Sequence, residues 1–261
     1  MRLLPSLLLA LLLALPARAA TPPEIRPGPP PAAGLMWIGN SFFYYNNGLP
    51  AMVRGLADAA KQPPVRGVMI TMGGSGFDWH DVASYFRPDA VGRYSFVGDN
   101  VIQFNPKGQL YDIAVLMDCS QCPLHPQLRD SFQATGRQHA ATVRANGARP
   151  VFFMSWAYAD QPDMTAPLAE AYTQLGNATE ALVIPAGLAF ARAHAERPET
   201  PLYVADKRHP TLAGSYLAAA VSYAALYGAS PEGNAFTAGL DPAVAAYLQR
   251  IAAETVRAYY R

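Results

Sequence analysis

Hydrophobic positions along the chain alternate between short continuous runs and longer stretches with helical spacing. The runs LMWI at 35–38 and YDIAVLM at 111–117 are almost wholly apolar and end in glycine or polar residues, which is typical of strands buried on both faces. In 49–60, apolar residues instead recur every three or four positions, and this spacing predicts an amphipathic helix. The predicted strands are 35–38, 68–72, 111–117, 151–156 and 182–185. The predicted helices are 49–60, 128–146, 164–180, 212–227 and 242–259.

This alternation of strands and helices predicts an α/β fold, in which helices cover both faces of a parallel sheet. The stretch 77–110 has the least regular pattern, and we expect it to form a loop insertion near the carboxyl edge of the sheet. Ligands of such folds bind at the carboxyl ends of the strands. The residues that directly follow each predicted strand are therefore the first candidates for function.

The first residues have the pattern of a secretory signal peptide. Arg2 precedes an apolar run at 7–15, and Ala17-Arg18-Ala19 has the small residues of a cleavage site. The run is shorter than the roughly 20 residues of a transmembrane helix, although an uncleaved anchor is the alternative. The expected organisation is a signal peptide at 1–19, a Pro-rich lead-in at 20–33 and one domain at 34–261. We accordingly expect a periplasmic or secreted protein without stable membrane insertion.

Composition narrows the classes of partner. Of the 261 residues, 51% are hydrophobic and 15% are charged, which excludes an intrinsically disordered chain. The formal net charge of +1 gives no bulk attraction to nucleic acid or to an anionic membrane. We therefore expect no nucleic-acid partner.

The two cysteines form a C-x-x-C pair, Cys119 and Cys122. Export into an oxidising compartment favours a disulfide between them. Free thiols and a redox-active pair are the alternatives. A structural zinc site needs four ligands, and the histidines have no suitable spacing, so the sequence predicts no metal site.

Three polar groups occur in an order that suits acyl transfer. Gly39-Asn40-Ser41 follows the first strand and offers a hydroxyl nucleophile, and the Gly-rich turn 73–76 follows the second strand and offers backbone donors. Asp206 and His209 precede helix 212–227 and supply a base with an orienting carboxylate. Taken singly, Ser41 could be a helix cap and His209 a surface residue. The combination in this order favours catalysis.

This ordered set resembles the SGNH or GDSL hydrolases over about residues 35–228. Their nucleophile motif stands here as Gly39-Asn40-Ser41 in IGNSFFYYNNGLP, similar to a bacterial branch with G-N-S, and their D-x-x-H block is similar to DKRHPT. The resemblance implies a three-layer α/β/α sandwich with a mostly parallel, flavodoxin-like sheet. It also implies that the N–H groups of Ser41 and Gly76, or alternatively Gly74, bind the oxyanion.

Two positions depart from the family pattern. Asn40 replaces the usual Asp beside the nucleophile. That Asp is not a member of the triad. The third block, G-x-N-D, supplies an Asn that donates to the oxyanion, whereas this chain has MDCSQCP at 117–123. Ser120 or Gln121 could donate in its place, because each side chain carries a polar hydrogen.

The resemblance implies an exported serine esterase that needs no cofactor and forms an acyl-enzyme on Ser41, with His209 as base and Asp206 as its orienting group. It also implies a small-molecule or glycan ester as the partner, with acetylated carbohydrates and lipid esters as the expected substrates. The alternative is a non-catalytic carbohydrate-binding or surface-assembly protein on the same scaffold, which the altered third block would favour. Aromatic residues near the expected site could stack on sugar rings or pack in the core and rim. They are Phe42, Phe43, Tyr44, Tyr45, Trp79 and Trp156.

Overall fold

The computed structural model describes residues 21–261, so the expected signal peptide at 1–19 lies outside the described residues. Its strands are β1 (Gly34–Gly39), β2 (Arg66–Thr71), β3 (Tyr94–Gly98), β4 (Val101–Phe104), β5 (Ile113–Leu116), β6 (Arg149–Phe153) and β7 (Leu182–Ile184). Its helices are α1 (Ser41–Tyr44), α2 (Leu49–Ala59), α3 (Val82–Tyr85), α4 (Arg129–Ala145), α5 (Thr165–Ala178), α6 (Ala186–Glu196), α7 (Leu212–Tyr227) and α8 (Pro242–Tyr259). Among residues 21–261, no helix has both the length and the apolar character needed to cross a bilayer.

Five strands form one parallel sheet in the order β2-β1-β5-β6-β7. Strand β1 lies between β2 and β5, with Leu35 aligned with Gly67 on one side and Ile113 on the other. The loops after these strands therefore meet at one edge of the sheet. The predicted α/β class and the mostly parallel sheet are confirmed.

Apolar side chains of the strands alternate between two cores, one on each face. Trp37 and Val115 pack with α2, α6, α7 and α8. Ile38 and Leu116 pack with α4 and α5 on the opposite face. The continuous apolar strands follow from this arrangement, because both faces are covered. The result is the three-layer α/β/α sandwich that the family resemblance implies.

Helix α7 is unusual because it is buried around its whole circumference. It packs against α2, α6 and α8, and every residue from Ala213 to Tyr227 is buried. Its many small residues suit this position, since they allow the neighbouring helices to approach closely. Its first turn is capped by Thr211, whose side chain accepts a hydrogen bond from Gly214 N, and so the helix fixes the segment just before it.

The stretch 77–110 differs from the expected loop near the carboxyl edge. It contains α3 and an antiparallel hairpin of β3 and β4. The hairpin contacts the amino-terminal end of the sheet, where the guanidinium of Arg66 donates to Ser95 Oγ over 3.1 Å. The alternating apolar residues on either side of Gly98-Asp99-Asn100 were a hairpin signal that the prediction missed. Helix α6 was also not predicted.

Candidate active site

Ser41, His209 and Asp206 form a continuous hydrogen-bonded relay. Ser41 Oγ lies 2.8 Å from His209 Nε2, and His209 Nδ1 lies 2.6 Å from Asp206 Oδ2. Because the carboxylate can only accept, Nδ1 carries the ring proton of the neutral imidazole, and Nε2 accepts from the Ser41 hydroxyl. The three residues that the sequence singled out are thus brought together across 168 positions of the chain.

Asn40 holds the turn that carries Ser41. Its Oδ1 accepts from Phe42 N at 3.2 Å and so caps α1. Its Nδ2 donates to the carbonyl oxygens of Ser75 at 3.0 Å and Asp118 at 3.2 Å. One buried amide therefore joins the loops after β1, β2 and β5. An aspartate in this place could cap the helix, but it could not donate to either carbonyl.

The loop that carries His209 is fixed by hydrogen bonds from its own backbone to the Asp206 carboxylate. Asp206 Oδ1 accepts from the N–H groups of Arg208 at 2.8 Å and His209 at 2.9 Å. Burial alone would raise the pKa of Asp206, but these bonds and the one from the His209 ring outweigh burial and lower the pKa to about 2. Asp206 is therefore a carboxylate at neutral pH and holds the imidazole in one orientation.

Trp156 contacts both the turn that carries Ser41 and the loop that carries His209. It is fully buried, lies between the rings of Phe42 (4.5 Å) and Phe190 (4.1 Å), and donates its Nε1–H to the Arg208 carbonyl over 2.9 Å. The ring of Tyr45 stacks on the His209 imidazole with centroids 4.4 Å apart. Rotation of the imidazole away from Ser41 is thus resisted by packing as well as by hydrogen bonds.

The expected aromatic platform is only partly present. Phe42, Phe43 and Trp156 belong to the core, so of the two alternatives for these residues the structure has core packing. Tyr44 and Trp79 are 40% and 59% exposed, and the ring of Tyr44 stacks on that of Tyr45. Sequence alone could not separate the buried from the exposed aromatic residues, because all of them lie near the carboxyl end of a predicted strand.

Gly76, the expected oxyanion donor, lies in the turn after β2. It is buried, whereas Gly74 is exposed, and within residues 21–261 neither the Gly76 N–H nor the Ser41 N–H donates to another group. A Cβ added at Gly76 would lie 2.8 Å from an oxygen of Asp118 and from one of Asp78. Only glycine therefore allows the turn after β2 to approach the loop after β5 this closely.

Two buried histidines form hydrogen bonds with the turn after β2. His80 lies 3.1 Å from Ser75 Oγ and from the Gly39 carbonyl, and His139 contacts the Phe77 carbonyl at 2.9 Å. Burial lowers the pKa of both histidines. Both rings are consequently neutral near pH 7 and serve the structure of the turn.

Asp118, at the end of β5, joins two of the site loops. It is 2% exposed, and its Oδ1 accepts from Phe77 N at 2.7 Å and Cys119 N at 2.8 Å. Burial raises the pKa of Asp118 to about 6 in spite of these bonds. The carboxylate thus holds the Gly76–Phe77 backbone against the loop that should complete the oxyanion site.

That loop contains the cysteine pair. Cys119 and Cys122 have their sulfur atoms at disulfide distance and their Cα atoms 5.2 Å apart. Among residues 21–261, Asp118, Cys119 and Cys122 are also the one group of His, Cys, Asp or Glu close enough to share a metal ion. A disulfide would consume both thiolates, which leaves a single carboxylate and no set of ligands for zinc.

Ser120 is held by Tyr158, which follows a predicted strand but to which the sequence assigns no role. Its hydroxyl lies 2.7 Å from Tyr158 OH, in the loop after β6. The guanidinium of Arg208 lies 3.9 Å from the centre of the Tyr158 ring and forms an ion pair with Asp160. Gln121, the alternative donor, is exposed. The side-chain contacts from Asp160 through Arg208 and Tyr158 to Ser120 therefore link the loop that carries His209 to the loop after β5.

The sequence matches no protein-family model and no curated protein, but solved structures resemble the fold. A DUF4886 family protein from Bacteroides uniformis matches with a TM-score of 0.65 and 17% identity, over 87% of this chain and 96% of that one. A protein described as an SGNH hydrolase from Slackia heliotrinireducens matches with a TM-score of 0.54 and 23% identity, over 75% and 99%. A catalytic mutant of an acetylxylan esterase from Geobacillus stearothermophilus matches with a TM-score of 0.55 and 15% identity, over 75% and 94%. The chain has the SGNH/GDSL-type hydrolase fold.

Proposed function

We propose that this protein is an exported serine esterase that cleaves carboxylic esters through an acyl-enzyme. The relay from Ser41 through His209 to Asp206 is the observation that carries the proposal. In such a relay the hydroxyl attacks the ester carbonyl while Nε2 takes its proton, and the resulting imidazolium is stabilised by the carboxylate. The same Nε2 then returns the proton to the leaving alcohol. Water repeats the sequence on the acyl-enzyme and releases the acid.

The oxyanion would be bound by the N–H groups of Ser41 and Gly76, with Ser120 as a third donor. The hydrogen bond between Ser120 and Tyr158 supports Ser120 over Gln121, because a donor must be held in place before charge develops. Loss of one such donor costs about 3 kcal/mol of transition-state stabilisation. Ser120 is thus proposed to replace the third-block asparagine of the family.

The alcohol part of the substrate is proposed to be a carbohydrate. Tyr44 and Trp79 offer exposed ring faces on the turns after β1 and β2, and amphipathic rings of this kind stack on apolar faces of sugars. One structural neighbour is an acetylxylan esterase. Trp79→Ala should raise KM for an acetylated xylooligosaccharide while leaving kcat/KM for a small aryl acetate unchanged.

The decisive experiment compares Ser41→Ala, His209→Ala and the double variant on a short-chain aryl ester. Each single variant should lose several powers of ten in kcat, and the double variant should be little worse, because triad residues act as a unit. Ser230→Ala, which removes an exposed hydroxyl in the segment after α7, serves as the matched control. A serine-directed phosphonate should label the wild-type protein and the control but not Ser41→Ala. Near-normal activity in folded Ser41→Ala would refute the assignment.

The outcome also decides between catalysis and binding. A wild-type protein that reacts with neither esters nor the phosphonate, yet binds acetylated oligosaccharides, would be a non-catalytic binding protein on this scaffold. Export is tested separately by N-terminal analysis of the exported chain, which should begin at Ala20.

A further inference from the structure

The β3–β4 hairpin presents its apolar face to solvent. Its strands pair antiparallel, with Tyr94 opposite Phe104 and Phe96 opposite Ile102. Directly opposed residues point to the same face, so these four side chains form one continuous surface, here called the ribbon face. Tyr94 and Ile102 are 48% and 50% exposed, and each phenylalanine is 68% exposed.

The opposite face of the hairpin contacts the body of the protein at its base, through Ser95, whereas Val97 and Val101 near the turn are 57% and 54% exposed. Ser95 lies opposite Gln103, and its hydroxyl accepts from the Arg66 guanidinium and donates to Asn105 Oδ1, each over 3.1 Å. An amphipathic antiparallel ribbon ordinarily places its apolar face on the core and its polar face in water. Here the hydrogen-bonded side chain of Ser95 lies toward the body of the protein, and the ribbon face lies in solvent without a partner among residues 21–261.

The ribbon face has the size of half a protein interface. An aromatic side chain offers about 150–250 Å², so the exposed parts of these four residues amount to roughly 500 Å². This is as large as the largest apolar patch on a typical monomer. Two copies joined through it would bury about 1,000 Å², the lower limit of a specific interface, before any neighbouring residue is counted.

We propose that the ribbon face binds the ribbon face of a second copy of this chain, around a two-fold axis with the two hairpins antiparallel. Two sheets that pack face to face with interdigitating side chains are a common arrangement, and homodimer interfaces are the most apolar class. The rings of Tyr94, Phe96 and Phe104 already form edge-on pairs, with centroids 5.8 and 6.3 Å apart.

Charge at the two ends of the hairpin favours this occupant. Asp99 lies at the turn, whereas Arg93 lies at the base with its guanidinium carbon 5.9 Å from the centre of the Phe104 ring. In the antiparallel arrangement, the turn of each hairpin lies over the base of the other. Asp99 of each copy therefore lies near Arg93 of the other copy, and the interface contains two such pairs of opposite charge. A bilayer fits less well, because the turn Asp99-Asn100 would enter it first.

The test measures the mass of the full chain in solution by analytical ultracentrifugation. The wild-type protein should be dimeric at micromolar concentration, and the double variant Phe96→Ser/Phe104→Ser should raise the dissociation constant at least about 100-fold, because buried aromatics dominate such interfaces. Trp79→Ser removes an equally exposed aromatic outside the ribbon face and should leave the dimer intact. Both phenylalanines are exposed, so the variant should fold normally, with unchanged circular dichroism.

A charge exchange tests the antiparallel geometry. Asp99→Arg and Arg93→Asp should each weaken the dimer about tenfold, and the variant that carries both changes should recover most of the loss, because opposite charges meet again. A wild-type protein that stays monomeric up to millimolar concentration would overturn the proposal. So would a dimer that survives the double serine variant, or a monomer that binds lipid vesicles through Phe96. None of these readouts depends on the esterase activity.

Discussion

The buried carboxylate of Asp118 should make stability depend on pH in a direction opposite to the buried histidines. The pKa of Asp118 in the fold is about 6, against an ordinary value of 3.8. Between these values the folded chain binds more protons than the unfolded chain, so the contribution of Asp118 to the free energy of unfolding increases as the pH falls. From about pH 7.5 to about pH 4.5 this gain should be about 2 kcal/mol.

The buried histidines act the other way. Their lowered pKa values give a contribution that is complete above the ordinary histidine pKa of 6.5 and is lost as the pH falls below it. The total pH dependence of the wild-type protein therefore mixes both effects. A comparison with a variant that lacks only the Asp118 carboxyl group isolates the first, because His80 and His139 titrate in both proteins.

The perturbation is Asp118→Asn, which keeps an oxygen for Phe77 N and Cys119 N but does not titrate. Urea unfolding followed by tryptophan fluorescence gives the free energy of unfolding at each pH. The wild-type protein should gain about 2 kcal/mol over the variant on acidification from about pH 7.5 to about pH 4.5. Asp118→Ser should give the same pH-dependent difference on a lower baseline. Parallel pH profiles of the wild-type and variant proteins would show that Asp118 is not protonated in this range and would refute the reasoning.

Three further predictions concern the loops around Ser41. Asn40→Asp should lower kcat at least about tenfold and reduce the melting temperature by several degrees, because a carboxylate would then face the two carbonyl oxygens that accept from the amide. Ester kinetics and thermal unfolding measure the two effects, and an unchanged kcat would contradict the role of the amide. Tyr158→Phe should lower kcat about 10-fold to 100-fold with little change in KM, since the Ser120 hydroxyl that Tyr158 holds is the proposed third oxyanion donor. As a control, Tyr247→Phe removes a buried hydroxyl that donates to the Ala193 carbonyl, and kcat should not change. Alkylation and mass measurement of the non-reduced protein should detect no free thiol at Cys119 or Cys122, and reduction should lower kcat because the loop between them becomes less rigid. Two alkylated cysteines before reduction would contradict the disulfide.

Much of the fold could be predicted from the sequence because its strongest signals are local. Strands β1, β5, β6 and β7 are largely buried on both faces, and continuous apolar runs such as that of β5 follow directly from this burial. The edge strand β2 is only partly buried. Helix α6 was missed because its small apolar residues continue the run of β7 after a single proline, with no polar interval between the two elements. The hairpin was missed because its alternation places apolar residues toward solvent, opposite to the usual rule.

The candidate site divides in the same way. Ser41, Asp206 and His209 could be predicted, since each lies in a short motif at the end of a strand or before a helix. Asn40 and Tyr158 could not be assigned a role, because their functions depend on carbonyls and hydroxyls that other loops bring to them. Residue type alone shows that such side chains can donate, but only the assembled sheet edge shows to what.

The relay joins a hydroxyl near the start of the chain to a ring 168 positions later, in the segment just before the buried helix α7. A growing or partly folded chain can form the nucleophile turn long before this ring is available, so its serine has no base and remains an ordinary alcohol. The same holds for a chain cut anywhere between the two motifs. If the proposed esterase activity is present, hydrolysis of an aryl ester would report that the chain is complete. The delay between recovery of circular dichroism and recovery of turnover during refolding would then measure how slowly the last fifth of the protein docks.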